Sequence, residues 1–263
     1  MPKFSANLSM LFGEVDFPKR FEKAANAGFK GVEYLFPYEF NKEQLVNELG
    51  RCGLQQVLHN LPAGDWQAGE RGIACLPGRE GEFQEGVGNA IEYAKALKCP
   101  RLNCLVGKTP VGAPPEDVRQ TLVNNLRFAA TALEKEGIRL LIEPLNDRDI
   151  AGFYLVHTRD AVGLIDEVNH PNLWIQYDVY HMQIMEGNLT RTIQENIDRI
   201  AHIQIADNPG RHEPGSGEIN FTSLFRSIDE VGYEGWIGCE YVPAASTEEG
   251  LQWIKPYIQG GRT

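Results

Sequence analysis

The chain has 263 residues, 42% of them hydrophobic and 23% charged, the proportions of an ordinary globular protein with material for one large core. Its 25 Lys and Arg stand against 36 Asp and Glu, a net charge of −11 with no basic run, so it repels phosphate backbones and argues against a nucleic-acid partner. The five cysteines form no CxxC pair and no disulfide framework, no signal-like N-terminus is visible, and no window suits a membrane span; these features predict a reduced, cytoplasmic protein without a membrane partner.

In chain order, a strand is predicted over Lys3–Ser9 and a helix over Phe17–Ala27, then strand Gly31–Phe36 and helix Lys42–Arg51. Strand Leu54–Asn60 precedes helix Glu82–Leu97, and strand Arg101–Val106 precedes helix Pro115–Glu136. Strand Ile138–Glu143, helix Arg159–Val168, strand Leu173–Asp178 and helix Leu189–Arg199 follow. Strand His202–Ala206, helix Phe221–Val231, strand Trp236–Tyr241 and helix Thr247–Ile258 complete the chain.

Eight strand–helix units in 263 residues give about 33 residues per unit, the repeat of a (β/α)₈ TIM barrel in one domain spanning 1–263. Gly28, Gly53, Gly137 and Gly232 each follow a helical run and precede a strand, as helix-ending glycines do. The connections back to the strands are short. Those leaving the strands are longer: 61–81, 107–114, 144–158 and 207–220. That asymmetry suits a barrel with its site at the strand C-terminal face. The competing architecture is an open doubly wound sheet, but the first turn, SMLFGEVDF, carries no GxGxxG. Trp174, Trp236 and Trp253 fall in periodic segments and are expected to pack.

Polar groups recur where apolar strands stop. Glu143 ends IRLLIE, Asp178 ends LWIQYD, Gln204 lies in AHIQIAD and Glu240 in WIGCEY, at separations of 35, 26 and 36 residues, roughly one unit each. Consecutive barrel strands are neighbours, so these four can meet at one rim. Three converging carboxylates repel one another unless a cation joins them, and an all-oxygen set points to Mg²⁺ or Mn²⁺ rather than Zn²⁺. The competing reading is four separate buried polar groups, each with local hydrogen bonds.

Around the same rim, His181 of DVYH is expected in the loop after the sixth strand, either touching substrate or packing on Tyr180. His59 ends the third strand and either reaches the pocket or fills a buried position. Arg211, in ADNPGRHEPGSGEIN, and Lys108, in GKTP, are candidates to bind a substrate carboxylate, with Glu213 available to orient Arg211. Arg71 and Arg79 are weaker candidates, in a loop long enough to act as a lid with Trp66 excluding water.

The segments FSANLSMLFGE, VEYLFPY, LHNLPAGDWQAGERGIACLPGRE, NCLVGKTP, LLIEPLN, IQYDVYHMQ, HIQIADNPGRHEPGSGEIN and GWIGCEY carry a resemblance that covers nearly the whole chain. Through them it resembles the hydroxypyruvate isomerase family within the xylose isomerase-like barrel superfamily. The resemblance implies interconversion of hydroxypyruvate and tartronate semialdehyde through a metal-stabilised enediolate, with Glu143 and Glu240 as the acid–base pair. It implies substrate contacts from His181 and Arg211, and a divalent metal held by Glu143, Asp178, Gln204 and Glu240, with Gln204 standing where related sugar isomerases often have His. Alternatives are isomerisation of a four-carbon 2-oxo acid of the 2-oxotetronate type, 3-epimerisation of a ketose, a metal-dependent nuclease of the same barrel type and a non-catalytic binding module. The nuclease is disfavoured by six scattered histidines and the acidic charge. A small hydroxy-oxo acid is the expected ligand, and assembly into a homo-oligomer is left open.

Overall fold

The computed structural model describes residues 2–258. Eight parallel strands close into a barrel in the order β1 to β8: Lys3–Asn7, Gly31–Glu33, Gln55–Asn60, Arg101–Cys104, Arg139–Ile142, Leu173–Asp178, Ile200–Ile205 and Trp236–Cys239. The ladder from β1 to β8 shuts the ring, pairing Lys3 with Trp236 through Ala6 with Cys239. Between the strands run α1 (Phe17–Asn26), α2 (Lys42–Cys52), α3 (Glu80–Leu97), α4 (Pro115–Glu134), α5 (Thr158–Val168), α6 (Val179–Met185), α7 (Leu189–Asn196) and α8 (Phe221–Glu230). After β8 come α9 (Thr247–Gly250), a 3₁₀ turn (Leu251–Ile254) and α10 (Lys255–Ile258). No helix among the described residues is long and apolar enough to cross a membrane.

The predicted alternation holds throughout, with three local differences. Strand β2 is only three residues long, because its register against β3 shifts between Val32 and Glu33 and Pro37 follows soon after. The last helix divides, since Pro256 has no amide hydrogen to continue one ladder. The sequence also hid α6, a short helix capped by the Asp178 carboxylate, which accepts from Tyr180 N at 2.8 Å. All four predicted helix-ending glycines have left-handed φ between 62° and 99°, and Lys98 and Asn169 adopt the same conformation after α3 and α5.

The outward faces of the strands pack with the helices into one apolar shell. One part of it is a ring cluster: Phe4 meets Phe225, Trp253 and Tyr257 at centroid distances of 5.3–5.5 Å, so Trp253 packs as expected. Inside the barrel, Val57, Leu58, Leu141 and Ala201 with Trp174 and Trp236 form a smaller apolar plug. The rest of the interior is polar. Ser5, Asn7, Glu33, Asn103, Gln176, His202 and Gln204 are all buried there. Gly238 makes space for the most demanding of them: a Cβ built on it would lie 2.2 Å from Glu33 Oε1.

His59 is also fully buried on β3, with Nδ1 3.2 Å from Asn60 O and Nε2 without a partner. Burial pushes its imidazole down from the ordinary 6.5 to about 4, outweighing the backbone contact at Asn60. It therefore stays neutral in the folded chain over a range where the unfolded chain binds a proton.

Two outcomes follow from this interior. Gly238→Ala is expected to lower unfolding free energy in urea by about 1–3 kcal/mol through overpacking against Glu33; a loss below about 0.5 kcal/mol would show that Glu33 moves aside freely. For His59, stability is complete above pH 6.5 and is lost as pH falls through 4, by up to about 3 kcal/mol. Urea titrations at pH 7 and pH 4.5 are expected to give a smaller acid penalty in His59→Asn than in the parent, and equal penalties would refute the neutral, buried state.

Candidate active site

The C-terminal ends of β5 to β8 bring the predicted carboxylates together. Glu143 and Glu240 sit one residue past the last rungs of β5 and β8, while Asp178 closes β6. Ladder pairing sets Asp178 beside Gln204 and Gln204 beside Gly238, so the polar groups of neighbouring strands share a level. All are buried: Glu143 is 4% exposed, Asp178 1%, Gln204 1% and Glu240 6%.

Each carboxylate is held differently. Glu143 Oε2 accepts from Asn103 Nδ2 at 2.8 Å. Glu240 Oε2 accepts from Asn7 Nδ2 at 2.9 Å and from Gln204 Nε2, while its Oε1 accepts from Arg211 at 2.8 Å. Asp178 Oδ1 caps α6, but its Oδ2 has no hydrogen-bond donor among the described residues and lies 3.5 Å from His181 Nε2 and 3.7 Å from Arg211. Burial raises the Glu143 carboxyl well above the ordinary range, and the charges of Glu240 and Asp178 add to the shift. Burial also raises Asp178 and Glu240, with Arg211 opposing it in both. Among the described residues these three acidic groups face one guanidinium, so with all three ionised the cluster is two positive charges short of balance. An orphaned carboxylate oxygen in such a cluster fits a divalent cation.

Glu143, Asp178 and His181 each bring one ligand-type atom to within 4.8 Å of the others. The hydrogen bonds of His181 limit what its ring can do. Its Nδ1 accepts from the backbone N–H of Asn146 at 3.1 Å and faces Asn146 Nδ2 at 2.7 Å. A backbone amide can only donate, so the ring proton sits on Nε2, the nitrogen turned toward Asp178 and Arg211. Burial first, and then Arg211, push its pKa well below 6.5. A neutral imidazole with Nε2–H is a hydrogen-bond donor to an oxygen in the pocket, not a lone-pair ligand. Asp149 extends this support: its Oδ2 accepts from Asn146 Nδ2 at 3.0 Å and from Tyr180 OH at 2.9 Å.

Gln204 departs from the arrangement expected of an oxygen ligand. Its amide nitrogen faces Glu240 and, at 2.7 Å, Glu33 Oε1, while its oxygen accepts from Gln176 Nε2 at 2.6 Å. Both carboxylates require a donor, which fixes the orientation of the amide.

The other predicted residues divide. Arg211 reaches the cluster from the β7 loop with a left-handed φ of 56°, strained for a non-glycine residue, and its guanidinium covers the Tyr180 ring at 5.0 Å. In this state it pairs with Glu240 rather than offering both nitrogens to an external carboxylate. Glu213 does not orient it; that side chain accepts from Ala244 N. Lys108 is anchored by an antiparallel bridge to Phe153, and neither its side chain nor that of His59 bonds to the cluster. Arg79 pairs with Glu70 and Glu82, and Arg71 lies over the Trp66 ring at 3.8 Å. His181 rides on α6, not on a loop.

Sequence reading missed Asn7, Glu33, Asn103, Asn146, Gln176 and His202. A signal existed for two of them: Gln176 precedes Asp178 by two residues and His202 precedes Gln204 by two, and strand side chains two apart share a face.

The family model described as xylose isomerase-like TIM barrel matches residues 21–257. The hydroxypyruvate isomerase of Escherichia coli (strain K12) is 60% identical over 257 residues, covering 98% of this chain and 100% of that protein. A 2-oxo-tetronate isomerase of Cupriavidus necator is 47% identical over 258 residues, covering 98% and 99%. A crystal structure described as AP endonuclease, family 2, from Brucella melitensis superposes with a TM-score of 0.96 at 49% identity, covering 98% and 99%. The chain therefore belongs to the xylose isomerase-like TIM barrel family, on the same full-length scaffold as the hydroxypyruvate and 2-oxo-tetronate isomerases it resembles.

Proposed function

We propose that this chain is an intramolecular oxidoreductase that interconverts hydroxypyruvate and tartronate semialdehyde. The observation that carries the reading is the convergence of Glu143 and Glu240, each with a buried carboxyl raised toward its protonated form, beside the free Asp178 oxygen in a chain 60% identical to a hydroxypyruvate isomerase.

The reaction moves a carbonyl by one carbon. A proton leaves C3 of hydroxypyruvate, the C–H pair becomes a C2=C3 bond, and negative charge collects on the C2 oxygen. A proton then returns to C2 while the C3 hydroxyl passes its own proton to the C2 oxygen, so that C3 becomes the aldehyde and C2 carries the hydroxyl. One carboxylate must accept the carbon-bound proton and one carboxyl must supply its replacement. Glu143 and Glu240 take these two roles, in an order set by the direction of reaction. Burial raises both carboxyls above the ordinary carboxylate range, the direction that favours taking up a proton. The Nε2–H of neutral His181 donates to the developing oxyanion, as a fixed donor in a water-poor site does. Arg211, the one cation in the cluster among the described residues, steadies the charge of the acid group of the substrate and of Glu240.

The carboxylates of Glu143, Asp178 and Glu240 and the carboxamide of Gln204 are the groups that would hold a divalent cation. Gln204 would exchange its bond from Gln176 to do so. Hard oxygen donors favour Mg²⁺ or Mn²⁺, which when bound polarise the substrate carbonyl and lower the charge cost of the enediolate. Lys108 and His59 are carried as further candidates for substrate contact, although no bond joins either to the carboxylate cluster among the described residues. We place the protein in the cytoplasm, with a small hydroxy-oxo acid as ligand.

A second substrate deserves a parallel assay, because the 2-oxo-tetronate isomerase relative is 47% identical over nearly its whole length. The four-carbon acid needs the same proton transfers and a slightly longer pocket. Comparing kcat/KM for hydroxypyruvate and 2-oxotetronate under identical conditions decides between them.

Glu143→Gln and Glu240→Gln are each expected to lower kcat at least about 10³-fold with unchanged far-UV circular dichroism, since neither amide can shuttle a proton. Near-parental turnover, followed by NMR in D₂O as deuterium enters the product, would remove both from the mechanism. Treatment with a chelator is expected to abolish turnover, and adding back Mg²⁺ or Mn²⁺ to restore it; full activity after exhaustive chelation would defeat the cation requirement.

A further inference from the structure

Beneath the catalytic rim lies a second layer of polar groups to which the mechanism gives no task. Its centre is Glu33 of β2, 0% exposed, on the inner face of the barrel. Its carboxylate accepts from His202 Nε2 at 2.8 Å, Ser5 Oγ at 2.8 Å, Gln204 Nε2 at 2.7 Å and, more weakly, Asn7 Nδ2 at 3.4 Å. Every partner is a donor, as an ionised carboxylate demands. Arg101 stands on the far side of the histidine, with Nη1 3.5 Å from His202 Nδ1, leaving Nε2 as the nitrogen that donates to Glu33.

Burying a carboxylate on the barrel axis is expensive, and apolar residues fill such positions at lower cost. Three independent features make room for it here. Gly238 leaves the space that a side chain on β8 would take, since its Cβ would strike the Glu33 carboxylate at 2.2–2.6 Å. The β2–β3 register shifts at Val32/Glu33, and the β6–β7 register shifts at Ile175/Gln176, next to the residue that bonds the Gln204 oxygen. Bulges of this kind re-aim side chains beside active sites.

Two of the four Glu33 partners continue upward. Gln204 and Asn7 each donate to Glu240 Oε2 as well as to Glu33. Glu33 therefore holds, from below, both groups that hold that catalytic oxygen from the side. A neutral residue at position 33 would leave the Gln204 amide free to rotate and would release one side of Asn7.

We propose that Glu33, braced by His202 and Ser5, is a positioning residue that fixes the amide nitrogen of Gln204 and the side chain of Asn7, and through them the orientation of Glu240. It touches neither substrate nor reacting atoms. The proposal rests on the reading of Glu240 as an acid–base group, and extends to cation binding because Glu240, whose orientation Gln204 and Asn7 hold, belongs to the candidate ligand set.

The test compares the full-length parent with Glu33→Gln and with the milder Ser5→Ala, which removes one brace on Glu33 without touching Gln204. Steady-state kinetics with hydroxypyruvate are paired with Mn²⁺ titration followed by electron paramagnetic resonance, a readout independent of turnover. For Glu33→Gln, kcat is expected to fall 10- to 100-fold with KM within threefold of the parent, and the Mn²⁺ Kd to rise about tenfold or more, the range typical of a residue that orients a ligand. Ser5→Ala is expected to lower kcat three- to tenfold. A merely structural role would lower the melting temperature while leaving kcat, KM and Mn²⁺ Kd of the folded protein within twofold, and that pattern overturns the proposal. If Glu33→Gln does not fold, Ser5→Ala decides, and parental kinetics and Mn²⁺ affinity in it overturn the proposal too. A parent that binds Mn²⁺ but never converts hydroxypyruvate would instead remove the proposed activity, with the Mn²⁺ titrations of the two variants still deciding whether Glu33 positions Gln204.

Discussion

Mutual repulsion among Glu143, Asp178 and Glu240 is the constraint around which this barrel is organised. Among the described residues, three buried carboxyl groups converge on one rim with a single guanidinium, Arg211, among them. Each would be costly in isolation, and together they raise one another's affinity for protons. The surrounding structure spreads that cost over many donors: Asn103 on Glu143, Asn7 and Gln204 on Glu240, the first turn of α6 on Asp178. What is left over, the bare Asp178 oxygen and the shortfall of positive charge, is the capacity that the proposed cation and the proposed proton transfers use.

The same logic explains why the barrel interior is polar where many barrels are filled by branched aliphatic side chains. The apolar plug of Val57, Leu58, Leu141 and Ala201 is small and is flanked by Trp174 and Trp236. Above it the strands devote their inward positions to amides, a histidine and Glu33. Satisfied polar networks of this kind are rigid, because each member loses several hydrogen bonds if any one moves. Rigidity beneath a site whose reaction depends on proton transfer over short distances is a functional gain that offsets the burial cost.

His181 shows how one backbone bond can decide a side chain's chemistry. By donating to Nδ1, the amide of Asn146 places the proton on Nε2 and turns the ring into a donor. Asn146 is itself held by Asp149, which also takes the Tyr180 hydroxyl. The loop following β5 and the helix following β6 are thereby joined behind the pocket, and a histidine that could have been a third metal-binding neighbour becomes a hydrogen-bond donor facing Asp178.

The eight-fold alternation, the helix-ending glycines and the set of strand-end residues Glu143, Asp178, Gln204 and Glu240 were legible in the chain. Each depends on local periodicity or on the repeat length, and both survive in a linear sequence. Arg211 and His181 could be singled out as candidates, but their roles could not be read, since a pairing with Glu240 and a tautomer set by Asn146 depend on contacts between different units. Glu33, His202, Gln176 and Asn7 were hidden for the same reason: closing the barrel brings β1, β2, β6 and β7 to a common axis, although Asn7 and Glu240 are 233 residues apart. The sequence by itself determined where the strands fall and which polar groups end them, through the apolar runs and the repeat length. Only the tertiary structure decided which of them meet, because the register shifts at Glu33 and Gln176 and the space left at Gly238 exist only once the strands are paired.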